Sequence, residues 1–392
     1  MSGPELLAGR RVLVTGATGF VGARLAERLV VECGAVVRVL SRTIGRCAPL
    51  SRLPVEIAIG DLLDPASLDA AAAGCDLVLH CARGTDGSER ERRAVDVDGT
   101  RNLLVASLRA GVSRFLHTST VVVYDLPGSG ELDERAPRGG PSDPYADAKR
   151  DAETLVLGYA ARLPVTVVQP TVVYGPRAGV YGRDVLEELR TTRIPLVNGG
   201  SGICNALYVD DLVTAMFLAA TSERAPGETF LVSGPEHPTW GEFFGGFERM
   251  LGLTRTVPMS ERDARAHWKR SKRRSWLLPE ALRAVRGDPD LRAELLATRE
   301  GRLVRRVAER VLPAGYFAPE RWIDRRSEIA GPAPAEPPLA AFKPQVVRFL
   351  ASTARVRIDK ARELLGYEPE FRLEDGLGLT EEWARWEGLL AP

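Results

Sequence analysis

The sequence predicts an α/β protein built on a doubly wound parallel sheet, with a smaller, mainly helical C-terminal substrate lobe. From Arg11 to about Ala220, short β-branched runs alternate with Ala- and Leu-rich segments of helical spacing, the pattern of strands buried on both faces by helices. A glycine triplet, Gly16, Gly19 and Gly22, separates the first such strand from the first such helix. The 392 residues are 44% hydrophobic and 27% charged, a globular composition with enough apolar material for two to three domains.

The expected strands are Arg11–Thr15, Val36–Leu40, Val55–Ile59, Leu77–His80, Arg114–Thr118, Val165–Gln169 and Thr229–Val232. Residues 1–175 are read as the dinucleotide-binding domain, with 205–233 returning to it. The substrate lobe spans 176–392 and is assembled from 176–204 and 234–392. Within it, a basic helical insertion is expected over 255–345; between Glu261 and Arg310 it has fifteen basic residues against eight acidic ones. Gly331 to Pro338 reads as a linker and Ile358 to Trp386 as an ordinary globular tail.

The chain carries 53 Lys+Arg against 52 Asp+Glu, so its net charge of +1 gives no bias toward nucleic acid or an anionic membrane. Met1 to Arg10 lacks a basic region followed by an apolar stretch, and no run reaches the roughly 18 apolar residues of a membrane span. Cys33, Cys47, Cys75, Cys81 and Cys204 form no CxxC pair and have no histidine cluster beside them. The expectation is a cytoplasmic protein with reduced thiols and no metal, in which His117 and His237 are structural.

Strand Arg11–Thr15 runs into Gly16-Ala17-Thr18-Gly19-Phe20-Val21-Gly22, and then into a helix with Leu25, Leu29 and Val30 on one face. Glycines at those spacings let the backbone turn tightly and approach a pyrophosphate, while the helix N-terminus offers unpaired N–H groups. Gly16, Thr18, Gly19, Phe20, Val21 and Gly22 are therefore candidate cofactor contacts in a Rossmann-type turn. At the end of the second strand, Ser41 and Arg42 stand where an acidic residue would bind an unphosphorylated ribose; Arg42 suits a 2′-phosphate, so NADP(H) is favoured over NAD(H). Asp61 and Leu62 sit where an adenine contact is expected, although Asp61 also reads as a turn or N-cap residue before Pro65.

Tyr145 and Lys149 are four apart on a segment expected to be helical through Leu157, so phenol and ammonium share a face. A phenol is a weak acid–base group at neutral pH, and a nearby cation favours its ionised form. Thr120, in the extension Ser119 to Tyr124 of the fifth strand, can donate to the same carbonyl oxygen as Tyr145.

Taken in order, these motifs resemble the extended short-chain dehydrogenase/reductase family, which includes the NAD(P)-dependent epimerases and dehydratases. Gly16 to Gly22 is similar to its TGxxGxxG turn, and His80-Cys81-Ala82 to its HxA strand end. Gly99 to Leu104 is similar to its GTxNLL helix, Pro170 with Tyr174-Gly175-Pro176 to RPxxxYGP, and Tyr208 to Asp211 to (H/Y)VDD. The resemblance implies Thr120, Tyr145 and Lys149 as catalytic residues, and Cys81, Ala82, Lys149 and Pro170 as further cofactor contacts.

The departures bear on substrate. Val121-Val122 replace the Asp-Glu pair of nucleotide-sugar dehydratases, and Val172 and Cys204 stand where sugar-nucleotide members carry an Asn and an Arg. Asp96 replaces an Asn, Gln169 replaces an Arg, and Arg83 follows the HxA strand end, either solvated or anchoring an acidic substrate group. The expected function is NADP(H)-dependent interconversion of a ketone and a secondary alcohol, as in the 3β-hydroxysteroid dehydrogenases and dihydroflavonol reductases; a nucleotide-sugar 4-epimerase and a non-catalytic scaffold are the alternatives. The expected partners are the small-molecule carbonyl or alcohol and a second copy of the chain, not nucleic acid. Residues 268–278, Trp268 to Leu278, read either as a solvated helix face or as a peripheral contact for an anionic membrane or a phosphate.

Overall fold

The computed structural model describes residues 3–140, 143–274 and 337–390. One parallel sheet is formed by β1 (Arg11–Thr15), β2 (Val36–Ser41), β3 (Glu56–Ile59), β4 (Leu77–His80), β5 (Arg114–Thr118), β7 (Val165–Pro170) and β11 (Thr229–Val232). The order across it is β11-β7-β5-β4-β1-β2-β3. All seven expected strands are present, with ends shifted by one residue at β2, β3 and β7. The chain reverses its direction of travel between β1 and β4, so the C-terminal ends of those two strands open the crevice in which ligands of such sheets bind.

Strand alternation explains the two layers. Val12 and Val14 point into a core with Leu25 and Leu29 of helix α1 (Phe20–Val31) and Leu212, Met216 and Phe217 of α7 (Val209–Thr221). Leu13 points the other way, onto Leu68 of α2 (Pro65–Ala72), Leu103 and Leu104 of α4 (Thr100–Arg109), and the core that takes Val156 of α5 (Pro144–Leu157). Each of these leucines is fully buried, which stabilises the fold by roughly 1.5–3 kcal/mol per side chain.

The (H/Y)VDD segment turns out to be a clamp on α1. Asp210 receives both Arg24 Nε (2.6 Å) and Arg24 Nη2 (2.9 Å), and its carbonyl accepts from Arg28 (2.6 Å). Asp211 accepts the N–H groups of Glu370 (2.9 Å) and Phe371 (3.1 Å), and burial pushes its carboxyl up to about 6.

Above the C-terminal edge of the sheet lies a second core. Tyr174, Leu186, Leu189, Val347 and Leu377 meet there around Trp240, Phe243 and Phe247 of α8 (Trp240–Leu251). That helix starts on a reciprocal Thr239–Glu242 capping box and stops at Gly252, whose φ of 63° is the left-handed cap that glycine supplies without strain. Three short parallel pairs tie this region together: β8 (Val172–Tyr174) with β10 (Ala206–Tyr208), β9 (Ile194–Val197) with β12 (Thr256–Met259), and β6 (Glu131–Leu132) with β13 (Arg355–Val356).

Two expectations change here. The extension Ser119 to Tyr124 is not strand: Val121–Val123 form a 3-10 turn, because the Thr120 hydroxyl accepts from Val122 N and caps it. The basic insertion opens with strand β12 before helix α9 (Glu261–Arg274) begins. The remainder of the insertion to residue 336, with Trp276, Leu277 and Leu278, lies outside the described residues. No described helix is long and apolar enough to cross a membrane. The five cysteines are free, four of them buried and Cys81 half-buried.

Candidate active site

The glycine turn is shaped for a close neighbour. Gly16 has φ +74°, and a Cβ there would stand 2.7 Å from Ala82 N; a Cβ on Gly22 would strike the carbonyl of Gly16. Gly19 caps α1 in extended conformation with no side-chain partner for the first N–H groups, those of Phe20, Val21 and Gly22. The turn therefore brings bare backbone donors and the positive end of a 12-residue helix to one point, which fits a dinucleotide pyrophosphate. Thr18 is half-buried beside them.

Next to the turn, His80 pins the ends of β1 and β4. The Thr100 hydroxyl donates to Asp96 O (2.6 Å), so it accepts from His80 Nε2 (2.9 Å); Nδ1 is then the acceptor for Thr15 Oγ1 (2.6 Å). Burial, and secondarily Lys149, hold His80 down at about 3. His117 packs against it with ring centroids 5.2 Å apart, and both ring nitrogens of His117 lack a hydrogen-bond partner among the described residues. Burial followed by Lys149 and His80 holds His117 well below its ordinary value.

Lys149 is buried, and its Nζ donates to Thr118 O (3.0 Å) at the end of β5. Tyr145 stands one turn earlier and is 37% exposed, so the lysine is enclosed while the phenol is presented to the crevice. The helix that carries both starts sharply: Pro144 fills its first turn, and the Asp143 carboxylate accepts from Tyr145 N (3.0 Å) and Ala146 N (3.1 Å). Thr120 is buried on the turn that follows β5.

On the lobe side stands Tyr181, whose ring lies 6.2 Å from Trp240 and 6.3 Å from Phe243. Burial pushes the Tyr181 phenol up, and its neighbours Cys204 and Tyr145 push in the same direction. Val172 and Cys204 are buried in the same core. Nothing in the sequence marked Tyr181, because it is brought to Trp240 and Phe243 by the irregular turn Gly179–Arg183.

Behind α5 runs a buried polar chain. Tyr124 Oη donates to Gln169 Oε1 (2.8 Å), Gln169 Nε2 donates to Glu153 Oε1 (2.7 Å), and Arg138 Nη1 lies 2.7 Å from Glu153 Oε2. Glu153 has no solvent exposure, and burial raises its carboxyl, opposed by Ser119, Gln169 and Arg138. Gln169, which departs from the RPxxxYGP pattern, thus leaves the charge of Glu153 to be met by Arg138 from a loop.

At the adenosine end, the Ser41 hydroxyl donates to Thr43 O (2.9 Å), and Arg42 pairs with Asp86 (2.6 Å), which also lies 3.6 Å from Arg46. The Arg42 guanidinium holds the Asp86 carboxyl below its usual range. Asp61 Oδ1 accepts from Leu63 N (2.8 Å) in a turn, whereas the N-cap before Pro65 is Asp64. The Leu62 side chain lies under Gly99, and its carbonyl accepts from Asn102 (3.0 Å). The half-buried Cys81 thiol faces Thr118 Oγ1 at 3.4 Å and is pushed up to about 11 by burial. Ala82 meets the glycine turn, and Pro170 ends β7, buried.

A doubly wound parallel sheet with this glycine turn is the architecture of a nicotinamide-dinucleotide enzyme. The chain belongs to the NAD-dependent epimerase/dehydratase family, whose profile matches residues 12–233. It is 34% identical over 253 residues to sterol demethylase protein B of Methylococcus capsulatus, covering 62% of this chain and 75% of that one. It is 32% identical to a 2-alkyl-3-oxoalkanoate reductase of Stenotrophomonas maltophilia (58% and 71%) and 30% identical to a dTDP-glucose 4,6-dehydratase of Streptomyces antibioticus (66% and 82%). The fold is shared with a UDP-glucuronic acid 4-epimerase of Bacillus cereus solved with NAD, at TM-score 0.64, 19% identity and coverage of 96% and 99%. The expected extended short-chain dehydrogenase/reductase membership therefore holds, and with it an NAD(P)-dependent enzyme.

Proposed function

We propose that the protein is an NADP(H)-dependent oxidoreductase that interconverts a ketone and a secondary alcohol. The observation that carries this reading is at the two positions where sugar-nucleotide members carry an Asn and an Arg: Val172 and Cys204 stand there, buried in the apolar core of Trp240 and Phe243, and offer a nucleotide diphosphate neither a side-chain amide nor a cation. When bound, the nicotinamide supplies or takes up the hydride. Phe20, Val21 and Gly22 N–H groups would hold the pyrophosphate, and Lys149, fixed on Thr118 O, would hold the ribose. Tyr145 Oη moves the proton to or from the substrate oxygen, and the Thr120 hydroxyl donates to the same oxygen. The named activities of the reductase relative support this direction of chemistry.

The nucleotide-sugar 4-epimerase is the second reading, favoured by one observation: Arg262, Arg265 and Lys269 of α9 line a groove beside Asn198. The two readings differ in cofactor balance, because an epimerase returns its hydride to the same sugar. The expected result is net oxidation of NADPH with an apolar ketone and no measurable calorimetric binding of uridine diphosphate. Micromolar uridine diphosphate binding, with a sugar nucleotide interconverted at constant NADPH absorbance, would replace the reductase by the epimerase.

The choice of NADP(H) rests on Arg42, with Arg46 beside it. Asp86 occupies both guanidinium groups, so it competes with a 2′-phosphate. Arg42→Ala is expected to weaken NADPH roughly tenfold with little change in NADH, and Asp86→Asn to tighten NADPH severalfold. Fluorescence titration checks both; NADH bound as tightly as NADPH by the wild type would sink the assignment.

A further inference from the structure

The hydroxyl groups of the site ride on different elements. Thr120 stands on the turn after β5, and Tyr145 stands with Lys149 on α5. Arg138 is bonded to both elements. Its backbone bridges Tyr124, the residue that closes the Thr120 turn, in antiparallel fashion; Gly139 N donates to Val123 O (3.1 Å) and Asp125 N to Pro137 O (3.2 Å) on either side. Its guanidinium carbon lies 6.0 Å from the centroid of the Tyr124 ring, and its Nη1 lies 2.7 Å from Oε2 of Glu153, one turn beyond Lys149 on α5. Among the described residues this is the cation that reaches Glu153, since Lys149 is committed to Thr118 O. The acids on the segment that carries Arg138 are engaged elsewhere, Asp133 with Arg135 (2.6 Å) and Glu134 with Leu231 N (2.8 Å).

Resting on the reductase reading of this same site, we propose that Arg138 is a positioning residue for the reaction: it ties the Thr120 turn to α5, and so sets the Thr120 hydroxyl against the oxygen that Tyr145 Oη serves. Arg138 touches neither cofactor nor substrate in this role. A buried carboxylate–guanidinium pair adds little net stability over a neutral pair, because desolvation offsets the attraction, yet removing one partner alone is costly. Its effect here is on placement. Glu153 Oε1 already receives Gln169 Nε2 (2.7 Å), and Gln169 receives Tyr124 Oη (2.8 Å), so strand β7 satisfies one carboxylate oxygen with an amide and leaves the charge to Arg138. An arginine at position 169 would neutralise Glu153 from the sheet, without engaging the turn. Supplied from residue 138, the cation closes a ring of contacts from α5 through the turn and back to β7. Losing the tie therefore misplaces the Thr120 donor while the pyrophosphate and ribose contacts stay where they are.

The test uses the full chain with NADPH and three ketones, cyclohexanone, acetophenone and menthone, and compares the wild type with the charge-neutral double variant Arg138→Gln, Glu153→Gln. The amide at 153 keeps an oxygen for Gln169 and leaves no charge buried alone, so the variant is expected to keep a urea midpoint close to that of the wild type. Its kcat is expected to fall about 10- to 100-fold, with the dissociation constant of NADPH within about twofold. In a Thr120→Val background the same pair of changes is expected to lower kcat by less than about threefold, because the hydroxyl it would misplace is gone. Near-normal kcat in the charge-neutral variant overturns the proposal. So does the same fractional loss in both backgrounds, or a loss of NADPH binding in parallel with kcat. Should the charge-neutral variant fail to fold, Arg138→Gln with Gln169→Arg takes its place, since it supplies the cation from β7; wild-type kcat in that protein shows that Arg138 only balances a charge, and the proposal falls. If Thr120→Val turns over as fast as the wild type, the positioning role falls and the reductase reading stands. If no ketone is turned over by protein that binds NADPH, both fall.

Discussion

Tyr145→Phe is expected to lower kcat by two or more orders of magnitude while leaving the dissociation constant of NADPH within about twofold. The substitution removes one oxygen and nothing else. The ring remains on the helix fixed by Asp143 and Pro144, and it still carries Arg83 over its face. Lys149 keeps its bond to Thr118 O, and the backbone donors of the glycine turn are untouched. Turnover and cofactor binding should therefore separate, and single-turnover kinetics with a fluorescence titration of the same variant read both. Near-normal turnover would mean that a different hydroxyl protonates the substrate oxygen. Thr120 and Tyr181 are then the groups to replace next.

A second large effect is a loss of stability on mild acidification. His80 is held at about 3, and His117 is held well below its ordinary value of about 6.5. In the unfolded chain both take up a proton as the pH falls through about 6.5, and in the folded chain they do not. Their depressed values therefore contribute stability that is fully present above pH 6.5 and is lost progressively as the pH falls toward the folded-state values. Between pH 7 and pH 5 the loss is about 2 kcal/mol for His80, and His117 adds a loss of the same sign. His117→Leu tests this cleanly, because both of its ring nitrogens are without partners and the apolar replacement leaves none of its own orphaned. Urea denaturation should find the variant close to wild type at pH 7 and less acid-sensitive than wild type at pH 5. Equal acid losses in the two proteins would show that His117 is not kept neutral by the fold.

The sheet was legible because its strands are runs of four to six residues, the inner ones buried from both sides, which leaves β-branched and leucine residues little alternative; only the edge strand β3 alternates half-buried and exposed positions. The glycine turn was legible for a related reason: Gly16 and Gly22 fill positions where a side chain would collide with backbone, so the constraint is local in sequence. Strands β8 and β10, three residues each, carry too few side chains to show a period. Thr120 was placed on a strand because Val121, Val122 and Val123 have strand chemistry, but its own hydroxyl caps a turn. What was not legible is what the fold brings together from afar. Asp86 meets Arg42 from 44 residues away, and Arg138, rather than position 169, balances Glu153. Tyr181 reaches Trp240 and Phe243 through a turn without a sequence signature, and its place depends on which core it closes rather than on its neighbours in the chain.

The short pair β6–β13 has a consequence for how the molecule is made. Segment 128–132 is hydrogen-bonded by Thr353 N, Arg355 N and Arg357 N, and Arg357 grips Glu131 across 226 residues of chain. Asn205, just before β10, adds two bonds, to Val356 N and Ala354 O. During synthesis the seven strands and the glycine turn can pair as soon as β11 has emerged, although Ile358, Ala361, Leu365 and Tyr367 complete the core beside them only later. The strap that follows the Thr120 turn and leads through Arg138 gains its pairing only after another hundred or so residues, and such distant contacts form late. A growing chain thus acquires its nucleotide cradle well before its reaction chamber.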